Sequence, residues 1–74
     1  MSKQRFTVIF QREEDMFVAI CPELDIASQG ANLEEARENI TEAIELFLEE
    51  ASPQELQERL PHEQYIGTVE VGVG

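Results

Sequence analysis

Two stretches near the start of the chain predict strands from their spacing of apolar residues. In residues 6–10 alternate positions share a face, which places Phe6, Val8 and Phe10 together. The polar residues 11–15 fit a hairpin loop of about five residues. Residues 16–20 are apolar on both faces, which is typical of a central strand or of one whose outer face meets another subunit.

A loop and a third strand are expected next. Pro22 ends the second strand because proline cannot donate to a strand ladder, and residues 21–25 should form a structured loop. Residues 26–29 predict a short strand ending at Gly30, where a positive φ would cost little.

The clearest periodic segment, residues 33–51, predicts a long helix. Asn32 is a favourable N-cap, and Glu35 can complete a capping box. Apolar residues recur at spacings of three and four, forming a stripe wide enough to lie on a sheet: Leu33, Ala36, Ile40, Ala43, Ile44, Phe47, Leu48 and Ala51.

A second helix and a last strand complete the predicted order. Ser52, Pro53 and Glu55 repeat the start signals of a helix, which is expected to run through about Arg59. Residues 65–73 alternate as a strand. The order β-β-β-α-α-β predicts an α+β fold. It would be a two-layer sandwich in which the long helix covers one face of an antiparallel sheet of three to four strands.

The uncovered face of that sheet would keep apolar side chains in water. Its members are Ile9, Met16, Val18 and Ile20. Exposed apolar patches favour association, and a chain of 74 residues has only a thin core. We therefore predict self-association, to a dimer or a higher oligomer.

The net charge of the chain limits the classes of partner that it can bind. Sixteen acidic residues against five basic ones give a net charge of −11. Phosphate backbones and anionic membrane surfaces repel such a protein, whereas a basic protein is attracted. The acidity could also serve solubility alone. Composition does not separate these two explanations.

The positions of the acidic residues favour recognition. Five glutamates follow helical spacing opposite the apolar stripe, and we call them the acidic face: Glu34, Glu38, Glu42, Glu45 and Glu49. Like charges four residues apart on a helix cost about 0.2–0.5 kcal/mol per pair. A cationic partner would explain why such pairs are kept, and we predict that this face binds one.

Catalytic and cofactor signals are absent from the pattern. Cys21 has no neighbouring base and is expected to be a buried structural thiol, and His62, the only histidine, to be a solvated turn residue. We expect no metal, no cofactor and no enzymatic activity. No apolar run approaches the roughly 20 residues of a membrane helix, and no secretory signal precedes the first strand. With one unpaired cysteine, the chain is expected to be cytoplasmic.

Three motifs in order resemble the HicB-type antitoxin domain. Residues 17–24 read F-V-A-I-C-P-E-L, residues 28–30 read S-Q-G, and residues 33–45 read L-E-E-A-R-E-N-I-T-E-A-I-E. The family-motif residues before the helix are Pro22, Glu23, Leu24, Ser28, Gln29 and Gly30. The chain departs from the family where a glycine is common in the first hairpin, at residues 13–15, and after the P-E-L motif, at residues 25–27.

The resemblance implies a partial ribonuclease-H-like fold without that enzyme's catalytic acids. It also implies oligomerisation and neutralisation of a small, basic toxin that cleaves messenger RNA. Many relatives continue into a DNA-binding module. Here we expect one HicB-like domain over residues 1–74, without such a module and without direct nucleic-acid binding. Two alternatives stay open: a solitary oligomeric relative with a regulatory or structural role, and a metal-dependent nuclease.

Overall fold

The computed structural model describes residues 4–60 and 63–74, so Pro61 and His62 lie outside the described residues, as do the first three. Within the described residues five elements follow one another: β1 (Ile9–Glu13), β2 (Met16–Cys21), β3 (Ile26–Gly30), α1 (Leu33–Glu50) and α2 (Pro53–Arg59). The strands form one antiparallel sheet in the order β1-β2-β3. The predicted α+β class and three antiparallel strands are confirmed.

The first hairpin is tighter than predicted. β1 begins at Ile9 and continues through Glu13, which pairs with Met16, so only Glu14 and Asp15 connect the strands. The predicted five-residue loop is wrong because the polar residues 11–13 pair with β2 while their own side chains stay exposed. The preceding residues 4–8 form no ladder, although Phe6 and Val8 pack against the core beside Phe10.

The short connection places Glu14 in the left-handed region, with φ 55°. This region costs an ordinary residue about 1–2 kcal/mol but is open to glycine. Glu14 is thus a position of backbone strain in the hairpin.

Replacing Glu14 with glycine is expected to stabilise the fold. The gain in the free energy of unfolding should be about 0.5–1 kcal/mol, because relief of the left-handed strain exceeds the entropy that glycine loses on folding. Urea unfolding measures the change. Asp15→Gly is the matched control and should destabilise, since Asp15 does not have a positive φ. A loss of stability in Glu14→Gly would contradict the explanation.

The core lies between the sheet and α1. Its fully or nearly buried members are Ala19, Cys21, Leu24, Ala36, Ile40 and Ile44. α1 packs mainly against β3 and β2. Leu33, predicted in the apolar stripe, is 51% exposed at the first position of α1.

Gly30 allows α1 to approach β3 closely. A Cβ atom at this position would lie 2.5 Å from the backbone nitrogen of Ala36 and 2.8 Å from the carbonyl carbon of Glu35. The predicted positive φ is wrong, since no glycine in residues 4–60 or 63–74 has one. Glycine is required at this position because a larger residue would clash with the backbone of α1.

Both helices begin at the predicted caps. The Asn32 side chain accepts a hydrogen bond from the backbone N–H of Glu35 (2.8 Å), and Ser52 accepts one from Glu55 (3.1 Å). The Glu35 carboxylate accepts from the backbone of Ala31 (3.1 Å), one residue before the position of a standard capping box. These bonds satisfy donors that a helix start leaves open.

The last segment differs most from the prediction. Residues 63–74, which we call the tail, contain no strand, and every one of them is exposed. The strand predicted over residues 65–73 is wrong for this structure because none of the described strands pairs with it.

Candidate protein-binding surface

The acidic face lies on the side of α1 that points away from the sheet. All five of its glutamates are exposed, while Ala36, Ile40 and Ile44 on the opposite side of the helix are buried. The long helix thus separates its charges from its core contacts. This separation leaves five carboxylates on one exposed surface.

The basic residues of the described chain do not neutralise these carboxylates. The one ion pair within residues 4–60 and 63–74 joins Arg59 to Glu55 on α2, at 3.9 Å. Arg37, the one base on α1, lies over the ring of Phe10 at 5.2 Å. Arg59 lies over Phe47 at 5.1 Å and donates to the carbonyl of Leu24 at 2.7 Å. The negative charge of the acidic face is therefore uncompensated among these residues.

An exposed leucine lies within the acidic face. Leu46 is 55% exposed and, with Leu48, lines a shallow depression beside Glu42, Glu45 and Glu49. An apolar side chain surrounded by charges is a common anchor in protein interfaces. The sequence prediction missed Leu46 because it falls outside the apolar stripe. Its spacing from Glu42 and Glu49, four and three residues, is the signal that could have found it.

The four residues predicted for the uncovered sheet face do lie together. Ile9 pairs with Ile20, and Val18 is the next residue of β2 on that face, followed by Met16. Ile9 and Met16 are 41% and 36% exposed, and the other two are half-buried. All four point away from α1, because their neighbours Ala19 and Cys21 are buried beneath the helix. Their role in association stays a prediction.

The P-E-L motif holds the fold together at the β2–β3 loop. Leu24 is fully buried in the core. The Glu23 carboxylate accepts a hydrogen bond from the backbone N–H of Thr7 (2.9 Å) and a weaker one from the thiol of Cys21 (3.7 Å). Pro22 is exposed at the start of the loop. The motif therefore ties the N-terminal segment to the core.

The S-Q-G motif has a similar structural role beside α1. Asn39 donates from its side-chain amide to the carbonyl of Gln29 (2.7 Å), and Gly30 admits the first turn of the helix. Ser28 is half-buried on the helix-facing side of β3, opposite Ala19. The S-Q-G motif and Asn39 thus meet at the β3–α1 contact, whereas the P-E-L motif acts at the β2–β3 loop.

Burial and hydrogen bonding shift two pKa values at this loop. Burial raises the pKa of the Cys21 thiol, and the neighbouring Glu23 charge adds to the rise. Burial alone would raise the pKa of Glu23 as well, but the hydrogen bonds from Thr7 and Cys21 outweigh it and lower the pKa. Cys21 is therefore a protonated structural thiol, and Glu23 is a stabilising carboxylate.

Replacing Glu23 with glutamine is expected to remove part of the acid sensitivity of folding. A carboxylate with a lowered folded-state pKa stabilises above its unfolded value, near 4.5, and this contribution is lost as the pH falls through the folded value. At pH 7 the variant should lose about 1 kcal/mol, since an amide still accepts from Thr7 but carries no charge.

Urea unfolding between pH 3.5 and 7 measures the effect. The difference between the natural chain and Glu23→Gln should shrink below pH 4.5. Glu13→Gln, at an exposed position, controls for the loss of one charge. A difference that does not change with pH would mean that the Glu23 charge adds nothing to the Thr7 bond.

Within residues 4–60 and 63–74, no group of three or more histidine, cysteine, aspartate or glutamate side chains is arranged to hold a metal ion. No helix of this part of the chain combines the length and apolarity needed to cross a membrane.

Curated relatives assign the chain to a family. It is 44% identical over 52 residues to the UPF0150 protein ssr1258 of Synechocystis sp. (strain PCC 6803), covering 68% of this chain and 75% of the relative. It is 50% identical over 46 residues to the UPF0150 protein ssr1765 of the same organism, covering 60% of this chain and 58% of the relative. No protein-family model matches the chain, and no solved structure matches it. The chain belongs to the UPF0150 family.

Proposed function

We propose that this chain is a HicB-like antitoxin module that neutralises a small basic toxin, one that cleaves messenger RNA, by direct protein contact. The uncompensated acidic face of α1, with Leu46 exposed within it, carries the proposal. The resemblance in the three motifs supports it. In this proposal the fold is a partial ribonuclease-H-like domain acting in the cytoplasm, and it performs no catalytic step.

The mechanism we propose has an electrostatic step and an apolar step. The carboxylates attract and orient a cationic partner, which accelerates association at low salt. Leu46 is then covered by the partner, which slows dissociation. When the cationic RNA-binding surface of the toxin is covered in this way, the toxin cannot bind the phosphate backbone of RNA.

The test uses the small basic protein encoded beside this gene, or captured with this chain from its native host. The triple variant Glu42→Lys/Glu45→Lys/Glu49→Lys should slow association at least about tenfold at low salt and abolish protection of RNA from cleavage. Leu46→Ala should raise the dissociation rate about tenfold while leaving association unchanged. Surface plasmon resonance at several salt concentrations separates the two effects.

A control with the same change in charge sharpens the result. Asp15→Lys/Glu58→Lys/Glu63→Lys alters exposed positions away from α1. If this variant slowed association as much as the first, bulk charge would explain binding and the acidic face would not be the site. Capture of no basic partner would contradict the antitoxin proposal.

The uncovered sheet face supports a second candidate, a solitary HicB-like oligomer with a regulatory or structural role. Ile9 and Met16 would then form contacts between copies. Two results together would favour this candidate. The first is that no neighbouring gene encodes a small basic protein, and the second is a stable oligomer that dissociates in the Ile9→Ser/Met16→Ser variant.

A further inference from the structure

The tail has the side-chain pattern of a half-buried strand. Tyr65, Val69, Val71 and Val73 alternate onto one face, and Ile66, Thr68 and Glu70 lie on the other, which is polar from Thr68 onward. Such one-sided alternation is typical of a strand whose apolar face packs on a core. Yet Tyr65, Ile66, Val69, Val71 and Val73 are between 66% and 96% exposed.

The tail also extends the molecule. The longest dimension is 47 Å, against 29 and 18 Å for the other two, and the radius of gyration is 14.5 Å. A compact chain of this length would have a radius of gyration of about 11 Å. Residues 65–73 alone can span about 30 Å when extended. The segment therefore projects as an arm.

The body of the protein offers a matching site at the outer edge of β1. β1 pairs with β2 on one side only. A groove lies on the helix-facing side between α1 and residues 4–8, which lead into β1. Its apolar lining is Phe6, Val8, Ile44 and Leu48, and its polar lining is Gln4, Arg37, Thr41 and Glu45. A strand that runs beside β1 and continues along residues 4–8 would place its apolar face in this groove.

The low charge of the tail favours binding to the groove of a second copy of this chain. Two copies at net charge −11 repel each other through most of their surfaces. The tail carries two acidic side chains, Glu63 at its start and Glu70 on the face opposite the valines, so contact through the valines adds little repulsion. A basic partner would instead be drawn to the acidic face. An arm that already projects from the body is also the form in which proteins exchange a strand between identical subunits.

We propose that the tail of each copy adds as a fourth strand to the β1 edge of a second copy and packs its valines into the groove of Phe6, Val8, Ile44 and Leu48. The exchange is reciprocal, so it produces a closed dimer with two four-stranded sheets. Main-chain hydrogen bonds would provide affinity, and the alternate side chains would provide specificity.

Sedimentation equilibrium of the full chain tests the exchange. The chain should be dimeric at micromolar concentration, and Val69→Ser/Val71→Ser should raise the dissociation constant of the dimer at least about 100-fold. The matched pair Thr68→Ser/Glu70→Ser, on the other face of the tail, should change it less than about threefold. The helical signal in far-UV circular dichroism verifies that the variants fold. A monomeric natural chain, or a dimer insensitive to the valine pair, would overturn the proposal.

Cross-linking distinguishes exchange from folding of the tail onto its own groove. In a Cys21→Ala background, Val8→Cys is mixed with a Val71→Cys chain of different mass. Exchange predicts a disulfide joining the two different chains after oxidation. An intrachain disulfide in a monomeric Val8→Cys/Val71→Cys chain would show that the tail occupies its own groove, and the proposal would be wrong. The groove shares Glu45 and Leu48 with the depression on the acidic face. The residues substituted in these experiments, Val8, Val69 and Val71, lie outside the acidic face, so failure of the exchange would leave the toxin proposal standing.

Discussion

Gly30→Ala is expected to lower the free energy of unfolding by about 3 kcal/mol. The added Cβ would lie 2.5 Å from the backbone nitrogen of Ala36 and within 3.0 Å of two other backbone atoms. Backbone cannot rotate away as a side chain can, so α1 must move off β3. That movement would lengthen the bond from Asn39 to the carbonyl of Gln29, now 2.7 Å.

Urea unfolding at fixed protein concentration measures this loss, because an oligomer's stability depends on concentration. Gly72→Ala is the control, since a Cβ at Gly72 would meet no heavy atom within 4 Å. It should change stability by less than about 0.5 kcal/mol. If Gly30→Ala were equally mild, the close approach of β3 to α1 would not be a requirement of the fold.

Leu24→Ala is expected to cost about 3 kcal/mol, the second large effect. Leu24 is one of the three largest side chains that are fully buried, and its removal leaves a cavity between the β2–β3 loop and α1. Its backbone carbonyl also accepts the Arg59 bond that holds α2, so relaxation of the loop would loosen the second helix. Thermal unfolding followed by circular dichroism measures the combined loss.

Leu46→Ala provides the matched leucine control. Leu46 is 55% exposed, so its truncation should cost less than about 0.5 kcal/mol of stability. The expected contrast is that Leu24→Ala unfolds at lower temperature, whereas Leu46→Ala keeps its stability and loses partner affinity. Equal melting temperatures for the two variants would contradict the burial assigned to Leu24.

Together, these variants separate residues that hold the fold from residues that are proposed to bind a partner. Leu24, Gly30 and Asn39 join the sheet to α1. The acidic face and Leu46 contact solvent. Substitutions in the first group are expected to reduce partner binding by unfolding the protein. Substitutions in the acidic face or at Leu46 are expected to reduce it by removing a contact with the partner.

Much of the fold was predictable because local signals determine it. The caps Asn32 and Ser52, together with Pro53, place both helix starts, and spacing of three and four selects Ala36, Ile40 and Ile44 for the core. The family resemblance marked the P-E-L and S-Q-G motifs, but their roles in packing became visible only in the structure.

The hairpin and the tail were not predictable in the same way. The polar residues 11–13 predicted a loop, yet they pair with β2. All three are exposed at the edge of the sheet, where a strand can form without apolar side chains. The tail alternates as a strand, but strand formation needs a paired edge, and the chain's own pattern cannot say which edge that is. Only tertiary structure decides such pairing.

By itself, the sequence determined the class of fold, the two helices, the separation of charge from core on α1, and the four apolar residues of the uncovered sheet face. These follow from periodicity, which acts over neighbouring turns or alternate residues. Tertiary structure alone decided that Gly30 is needed for space, that Glu23 bonds to Thr7, that arginines lie over aromatic rings away from the acidic face, and that the tail projects from the body. Each of these depends on contacts between residues distant in the chain, and no local pattern encodes such distances.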